Sequence, residues 1–262
     1  MIPKVIHYCW FGGNSLGDRE LKCIDSWKKF LPGYEIIQWN ESNFDLSCCA
    51  YVQEAHKAGK WAFVSDYARF KIIFERGGLY FDTDVEAIAS FDNLLEEGPF
   101  MGFESDPSER GFMSVNSGLG FAAPAGLDIF RIILNSYEAD HFLLEDGNYN
   151  YQTVVERVTN ILVNRGLKAI PGIQQVEGIS IYPSEYLNPT NLQTGELCVT
   201  SQTRSVHHYG ASWQPASLRR IGLLKQEVNR RMPLMPKAFR SAFAWIKYLL
   251  DTGDFAAFKN RY

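Results

Sequence analysis

Two aspartates lie one residue apart, directly after a short apolar run. Asp82 and Asp84 follow Leu79-Tyr80-Phe81, which has the composition of a buried strand, and Gly77-Gly78 lets the chain turn into that strand from a preceding helix. Along an extended chain, side chains two residues apart point to the same side, so both carboxylates can face one hard cation, directly or through water. Most Asp-x-Asp pairs are solvated turns, but this pair ends a strand that itself follows a helix. The pattern therefore favours a divalent-cation site.

A carboxylate and a guanidinium lie three residues apart on the helix that precedes this strand. The segment Lys60 to Arg76 has an apolar stripe at helical spacing, which Ser65, Asp66 and Arg69 interrupt. Residues three apart share a helix face, so Asp66 and Arg69 form a pair. The pair is either an exposed ion pair worth less than about 1 kcal/mol, or a group that contacts the hydroxyls and phosphate of a ligand. The sequence leaves both interpretations open.

The elements that position these residues alternate along the chain. Besides residues 79–81, strands are predicted at Pro3–Trp10, Tyr34–Trp39, Phe100–Glu104, Phe112–Phe121, Ile179–Tyr182 and Ser205–Tyr209. Helices are predicted at Asp18–Phe30, Ala50–Ala58, Lys60–Arg76, Ala125–Tyr137 and Gln152–Arg165. This alternation predicts an α/β fold. The first strand ends in Phe11-Gly12-Gly13, and a loop at the carboxyl end of a first strand is where such folds bind ligands.

Length and composition limit the class of protein. The chain has 262 residues, of which 46% are hydrophobic, enough for one large α/β domain with an appendage. Its five cysteines have no zinc-site spacing, which predicts reduced thiols in a cytosolic protein. No signal peptide is evident, and no run of about 18 apolar residues would span a membrane. We therefore expect a cytoplasmic protein.

The charge is distributed unevenly. The net charge is −4, but residues 217–262 contain ten Lys or Arg against three acids, so they carry +7 and residues 1–216 carry −11. Two helices, Leu218–Arg231 and Lys237–Leu250, are predicted in this tail, and the second mixes aromatic with basic residues. An acidic body would repel nucleic acid, whereas a basic amphipathic helix suits an anionic membrane surface. The tail is expected to attach peripherally to the inner face of the cytoplasmic membrane, or else to pack on the domain.

Two adjacent histidines follow the last predicted strand residues. His207 and His208 point to opposite faces if the strand continues through them, so at most one of them reaches a given site. A histidine of this kind is usually a surface residue. Trp213 is by default a core residue.

Four sequence blocks together resemble glycosyltransferase family 32, and more distantly the glucosylating domains of the large clostridial toxins. The blocks are Ile6-His7-Tyr8-Cys9-Trp10-Phe11-Gly12-Gly13, Ser65-Asp66-x-x-Arg69, Gly77-Gly78-x-Tyr80-x-Asp82-x-Asp84 and His208-x-x-x-Ser212-Trp213. The resemblance implies a GT-A type fold with a mixed, mainly parallel central sheet over residues 1–216, followed by a helical tail at 217–262. It also implies a retaining transferase that uses Mn²⁺ or Mg²⁺ and a UDP-sugar donor. The acceptor would be a saccharide or a lipid-linked oligosaccharide in capsular or other surface polysaccharide synthesis.

The resemblance carries roles onto individual positions. It implies that the transferred sugar, the diphosphate and the cation are bound by Asp66, Arg69, Asp82 and Asp84. It implies donor contacts, beginning with an aromatic ring stacked on uracil, for Trp10, Asn43, Ser65, Tyr80, Asn116, Ser212 and Trp213. It implies cation ligands at Asp82, Asp84 and His208. The toxins have an acidic residue where this chain has a histidine, so the choice between His207 and His208 stays open.

Two other functions fit parts of the sequence. One is a sugar- or nucleotide-binding module without catalysis, against which the complete set of acidic and basic site residues argues. The other is a phosphohydrolase of the haloacid dehalogenase type, because Asp82-Thr83-Asp84-Val85 also fits its opening motif. Such an enzyme needs a later lysine and an acidic pair after a strand, for which Asp251 and Asp254 in the tail are no convincing counterpart.

Overall fold

The apolar patterns of the first half become five strands and four helices. The protein is described here by a computed structural model that covers residues 1–108, 111–210 and 216–254. The elements of this half are β1 (Val5–Cys9), α1 (Asp18–Phe30), β2 (Glu35–Trp39), α2 (Ala50–Lys57), α3 (Trp61–Arg76), β3 (Gly78–Tyr80), β4 (Val85–Ala87), α4 (Asp92–Glu97) and β5 (Phe100–Ser105). The predicted helices and strands over residues 1–105 are therefore confirmed to within a few residues at their ends.

The second half has shorter strands. Its elements are β6 (Ser114–Val115), a 3₁₀ turn (Ser117–Leu119), β7 (Phe121–Ala123), α5 (Asp128–Glu138), α6 (Val154–Asn164), β8 (Gln174–Val176), β9 (Ile179–Tyr182), α7 (Ser184–Leu187), β10 (Ser205–His207), α8 (Ala216–Arg231) and α9 (Lys237–Thr252). The two predicted tail helices are confirmed as α8 and α9.

One sequence prediction in this half is wrong. Residues 112–121 do not form a single strand, because the chain turns at Asn116, whose side-chain oxygen accepts a hydrogen bond from Gly118 N at 2.7 Å. Asn side chains compete with strand pairing through such local bonds. The turn separates β6 from β7 and places Ser117 and Gly118 at the end of β3.

The central sheet has eight strands in the order β2-β1-β3-β7-β5-β9-β8, with β6 paired to β5. Strand β1 is parallel to β2 and β3, and β5 is parallel to β9, whereas β7 is antiparallel to both β3 and β5. Five of the eight strands (β1, β2, β3, β5 and β9) thus run in one direction. This confirms the prediction of an α/β fold with a mixed, mainly parallel sheet, as expected for the GT-A type. Strands β4 and β10 form a separate antiparallel pair.

The turn from α3 into β3 requires the predicted glycine pair. Gly77 and Gly78 have φ of 68° and 111°, in the region that side-chain-bearing residues rarely adopt. A Cβ atom at position 78 would also lie 2.8 Å from the carbonyl oxygen of Val5. Helix α3 therefore returns directly beside β1, and its buried face joins the main core.

A buried histidine connects β1 to β2 and to the end of α3. Trp39 Nε1 donates a hydrogen bond to His7 Nδ1 at 3.1 Å, and His7 Nε2 lies 3.1 Å from the carbonyl oxygen of Gly77. Because Nδ1 accepts a hydrogen bond, Nε2 carries the proton and donates a hydrogen bond to the carbonyl oxygen of Gly77. The neutral imidazole thus holds the elements that lead into the Asp-x-Asp segment.

The chain divides into two compact units. The first contains Met1–Asn188 and Thr200–His208, and the second contains Pro189–Val199 and Tyr209–Tyr262. Within the second unit, α8 and α9 pack through Ile221, Trp245 and Tyr248. The loop 189–199 is tied to α8, because Gln226 and Asn229 donate to the carbonyl oxygens of Leu192 and Gln193. Among the described helices, none has the length and apolar character needed to cross a membrane.

Candidate active site

Strand β10 brings a histidine to the two aspartates. It pairs antiparallel with β4, with His207 opposite Val85, and His208 N donates to the carbonyl oxygen of Asp84. His207 Nε2 consequently lies 3.1 Å from Asp84 Oδ1. One donor atom from each of Asp82, Asp84 and His207 can be chosen so that all three lie within 4.8 Å of one another.

A turn, and not strand alternation, brings the two aspartates together. Strand β3 ends at Tyr80, and Val85 N donates to the carbonyl oxygen of Asp82 at 3.1 Å, so residues 82–85 form a turn. The two carboxylates approach one another as expected, but the backbone between them is a turn and not the extended chain that alternation assumes. The side chains remain partly accessible, with 28% exposed for Asp82 and 16% for Asp84.

The three donor groups fit a divalent cation. Carboxylate oxygens suit Mg²⁺ and Mn²⁺, and imidazole nitrogen adds a donor that transition metals accept. Burial lowers the pKa of His207, but the charge and hydrogen bond of Asp84, together with the charge of Asp82, outweigh it and raise the pKa above its usual value. Two carboxylates thus stabilise the protonated imidazole, which shows that the local electrostatic potential is negative and favours a cation.

The position expected for His208 is held by His207. His208 is on the opposite side of β10, where its Nε2 lies 2.8 Å from Glu86 Oε2 in an exposed pair. The reason is the alternation of side chains along the strand, combined with the register of β10 against β4. Among the described residues, His207 and not His208 completes the group of three.

Arg69 connects this group to α3. Its guanidinium lies 2.8 Å from Asp66 Oδ1 and 3.3 Å from Asp82 Oδ1, and it donates to Ser117 Oγ at 3.3 Å. Its Nε donates to the carbonyl oxygen of Ser65 at 3.1 Å. The Asp66–Arg69 pair is therefore buried, and the interpretation as an exposed surface ion pair is wrong.

Burial and charge set the protonation of these groups. Burial raises the pKa of Asp66 to about 6, against the opposing effect of Arg69. Burial likewise raises the pKa of Asp82, although Arg69 again opposes the shift. Burial lowers the pKa of Arg69, but the neighbouring carboxylates of Asp82 and Asp66 outweigh it and raise the pKa, so the guanidinium stays charged.

Tyr80 and Asn116 lie in the same network. Tyr80 donates to Asp82 Oδ1 at 3.1 Å, and its ring lies 5.2 Å from the Arg69 guanidinium carbon. Asn116 Nδ2 donates to Glu104 Oε1 at 2.8 Å. Glu104 and Ser117 complete this side of the site, and the sequence analysis missed both, because only the turn at Asn116 brings β5 and the 3₁₀ turn to the end of β3.

The remaining predicted donor contacts lie on other elements. Trp10 is in the loop after β1 and donates through Nε1 to the carbonyl oxygen of Asn14 at 2.7 Å. Since β1 and β3 are parallel neighbours, this loop and Asp82 lie at the same edge of the sheet.

Ser65 faces α3 itself, with its hydroxyl 3.1 Å from the carbonyl oxygen of Trp61. Asn43 is exposed and donates to the carbonyl oxygen of Gln38 at 2.8 Å. Ser212 and Trp213 are outside the described residues.

Comparison with known proteins agrees with these motifs. Residues 17–101 match the model of a family described as a glycosyltransferase sugar-binding region containing a DXD motif, and the motif here is Asp82-Thr83-Asp84. An uncharacterized glycosyltransferase of Acanthamoeba polyphaga mimivirus is 24% identical over 226 residues, which are 82% of this chain and 85% of the viral protein. The expected resemblance to DXD-containing glycosyltransferases of the family 32 type is thus confirmed.

Several solved glycosyltransferases are similar to this chain at low identity. The PaToxG glycosyltransferase is 16% identical with a TM-score of 0.46, over 62% of this chain and 69% of its own. A glycosyltransferase involved in glycosylation of the major capsid of PBCV-1 is 12% identical with a TM-score of 0.43, over 93% and 100%. The galactosyltransferase LgtC, solved with donor and acceptor sugar analogues, is 12% identical with a TM-score of 0.45, over 90% and 99%.

Proposed function

We propose that this glycosyltransferase moves a hexose or N-acetylhexosamine from a UDP-sugar to a saccharide acceptor, with retention of anomeric configuration and with Mn²⁺ or Mg²⁺ as cofactor. The acceptor belongs to a cell-surface polysaccharide or oligosaccharide, free or lipid-linked. One observation supports the proposal most directly: Asp82, Asp84 and His207 converge beside an arginine that is held between Asp66 and Asp82.

The residues of the site suit cleavage of a sugar–diphosphate bond. A cation held by Asp82, Asp84 and His207 would neutralise charge that develops on the departing diphosphate oxygens. Arg69 adds a second, permanently charged group on the α3 side. Asp66 accepts hydrogen bonds from hydroxyls of the transferred sugar when its carboxylate is ionised. Binding of the uridine by Trp10 and the neighbouring loop would position the sugar for attack.

The transfer is proposed to take place on one face of the sugar. The bond between the anomeric carbon and the diphosphate oxygen breaks as the acceptor hydroxyl oxygen bonds to the same carbon. The acceptor proton passes to the departing diphosphate oxygen, so the step balances without an enzyme nucleophile. Retention follows because the acceptor enters on the side from which the diphosphate leaves.

Manganese-stimulated release of UDP from a panel of UDP-sugars tests the proposal. Asp84→Asn is expected to lower turnover by at least about a hundredfold and to remove the manganese dependence, since the residue is placed as a direct ligand. Glu86→Gln is the matched control, because Glu86 pairs with the exposed His208 outside the group of three. Full activity of Asp84→Asn, or equal losses in both variants, would refute the assignment.

The two histidines offer a second matched pair of variants. His207→Ala is expected to weaken manganese activation at least about tenfold. Even mutation of a residue that only hydrogen-bonds to a metal ligand commonly lowers metal affinity or activity by that factor. His208→Ala leaves the three donor groups intact and is expected to retain wild-type activation. A titration of activity with Mn²⁺ measures both, and the reverse order of effects would overturn the choice of His207.

We also propose that the second unit attaches to an anionic membrane surface. Helix α9 packs on α8 through Ala244, Trp245 and Tyr248, and its opposite side carries exposed apolar side chains. These are Phe239, Phe243, Ile246 and Leu250, spaced three or four residues apart in one stripe. The two helices are rich in Lys and Arg, and a basic helix with an exposed apolar stripe suits the headgroup region of a bilayer. A lipid-linked acceptor would be found there.

A further inference from the structure

Two tyrosines present their rings to solvent in the loop before α6. Tyr149 is 37% exposed and Tyr151 is 55% exposed, and no other tyrosine in residues 1–108, 111–210 and 216–254 is as accessible. Their ring centroids are 6.1 Å apart and the ring planes meet at 85°, so the rings form two walls of a corner. Exposed aromatic surface next to polar groups is typical of ligand contacts.

The corner is held rigid from behind. Tyr149 stacks on the buried ring of Phe142, with centroids 5.2 Å apart and an angle of 19°, and Tyr151 packs on Phe63 at 5.8 Å. The loop is closed by the hydrogen bond from Asn150 N to the carbonyl oxygen of Phe142. Glu54 accepts hydrogen bonds from the backbone N–H groups of residues 142 and 143. The loop is therefore already ordered, and binding of a ligand here would carry little entropic cost for ordering it.

A lysine supplies the polar group of the corner. Lys60 Nζ lies 5.9 Å from the ring centroid of Tyr149 and 5.8 Å from that of Tyr151. The corner thus combines two aromatic faces with the three hydrogen-bond donors of an ammonium group and two phenol hydroxyls. A pyranose ring has the matching chemistry, because its C–H faces pack on aromatic rings while its hydroxyls accept and donate hydrogen bonds.

The corner lies close to the sugar side of the active site. Lys60 directly precedes α3 and Asp66 lies six residues further along, so Asp66 is about 9 Å from Lys60 along the helix axis. The same loop approaches the site from the other direction, because the backbone N–H group of Val154, three residues after Tyr151, is one of the groups that act to lower the pKa of Asp66. Lys60, the lysine of the corner, is therefore about two helical turns along α3 from the carboxylate assigned to the transferred sugar.

We propose that Tyr149 and Tyr151 bind a sugar unit of the acceptor, one or two units away from the hydroxyl that receives the transferred sugar. The acceptor is accordingly an oligosaccharide and not a monosaccharide. This inference depends on the proposed transferase function for the direction of the acceptor, but the binding of a saccharide to the corner can be measured without turnover.

Saturation-transfer NMR and acceptor kinetics test the proposal with one panel of sugars. The panel consists of maltose, cellobiose, lactose, chitobiose and gentiobiose, with the corresponding methyl monosaccharides. Wild type is expected to show saturation transfer to at least one disaccharide. Tyr151→Ala and Tyr149→Ala are each expected to reduce that transfer severalfold and to raise the KM for the disaccharide acceptor at least tenfold. Hydrolysis of the UDP-sugar in the absence of acceptor is expected to be unchanged, which separates this result from failure of the donor site.

Two variants control for the fold and for simple loss of apolar surface. Tyr151→Phe keeps the ring and is expected to stay within about twofold of wild type, and Leu143→Ala removes an exposed apolar side chain from the same loop. No saturation transfer to any disaccharide, equal losses with Leu143→Ala, or an equal rise in KM for monosaccharides would each overturn the proposal. If wild type hydrolyses no UDP-sugar but the NMR results are as expected, Tyr149 and Tyr151 do bind a saccharide and the transferase proposal is wrong.

Discussion

Gly118 leaves the space that the Asp82 carboxylate occupies. A Cβ atom at position 118 would lie 2.2 Å from Asp82 Oδ2 and 3.0 Å from Asn116 Oδ1. We expect Gly118→Ala to push the Asp82 carboxylate away from Arg69 and to lower kcat/KM at least about tenfold, a loss of about 1.4 kcal/mol of transition-state stabilisation. UDP-sugar hydrolysis and thermal unfolding would be measured together.

The control for this substitution is Gly222→Ala in α8. A Cβ atom there has no neighbour within 4 Å. Replacing a helical glycine with alanine is expected to raise the free energy of unfolding by up to about 1 kcal/mol and to leave activity unchanged. If Gly118→Ala behaves in the same way, the carboxylate has another position available and the packing argument is wrong.

At this scale the sequence indicated which acidic and basic residues lie together but not their full set of neighbours. Asp66 and Arg69 could be paired from helical spacing alone. His207 could not be chosen over His208, because the choice depends on the register of β10 against β4. Glu104 could not be predicted at all, since its contact with Asn116 requires two strands to meet across the sheet.

At the scale of elements, His7 makes the start of the sheet sensitive to acid. Burial lowers the pKa of His7 from 6.5 to about 4, with the charge of Arg76 acting in the same direction and the hydrogen bond to Gly77 opposing it. The folded state holds the imidazole neutral, because Nδ1 must accept from Trp39. Between pH 6.5 and about 4 the unfolded chain therefore binds a proton that the folded chain does not.

This difference predicts how stability depends on pH. The contribution of the neutral His7 to the free energy of unfolding is present in full above pH 6.5 and is lost as the pH falls towards 4. From about pH 7.5 to about pH 5, wild type is expected to lose about 2 kcal/mol more free energy of unfolding than His7→Gln, which has no titrating ring. Urea unfolding at both pH values measures this, and parallel losses in the two proteins would contradict the prediction.

Element boundaries were predicted well where a periodic pattern is long, and poorly where a side chain redirects the backbone. Helix α1 begins and ends at the predicted residues, Asp18 and Phe30. The predicted strand over residues 112–121 failed because one hydrogen bond from Gly118 to Asn116 replaces strand pairing there. The turn at residues 82–85 was missed for a similar reason, since alternation alone cannot reveal a local backbone hydrogen bond.

At the scale of the whole molecule, the charge division predicts salt-sensitive membrane binding. Binding to vesicles that contain phosphatidylglycerol is expected to fall steeply from about 0.01 M to about 1 M salt, as the Debye length shrinks from about 30 Å to about 3 Å. Phe239→Ser with Phe243→Ser is expected to weaken binding at low salt, because both side chains belong to the exposed stripe of α9. Vesicle sedimentation measures both effects.

Leu223→Ser on α8 is the control, since Leu223 is exposed but not part of the stripe. Equal binding to neutral phosphatidylcholine vesicles, or equal losses from Leu223→Ser, would contradict membrane attachment through α9.

The sequence could predict the charge division and the two helices, because both are properties of composition and spacing. It could not predict that loop 189–199 joins the tail in one compact unit, because that depends on hydrogen bonds from Gln226 and Asn229.

The pairing of β10 with β4 also orders events during protein synthesis. Asp82 and Asp84 leave the ribosome well before His207, which lies 123 residues after Asp84. At a translation rate of about 5–20 residues per second, roughly 6–25 seconds separate the emergence of the acids from that of the imidazole. A nascent chain therefore carries both aspartates without their third neighbour, and the three donor atoms come together only after translation has passed position 207.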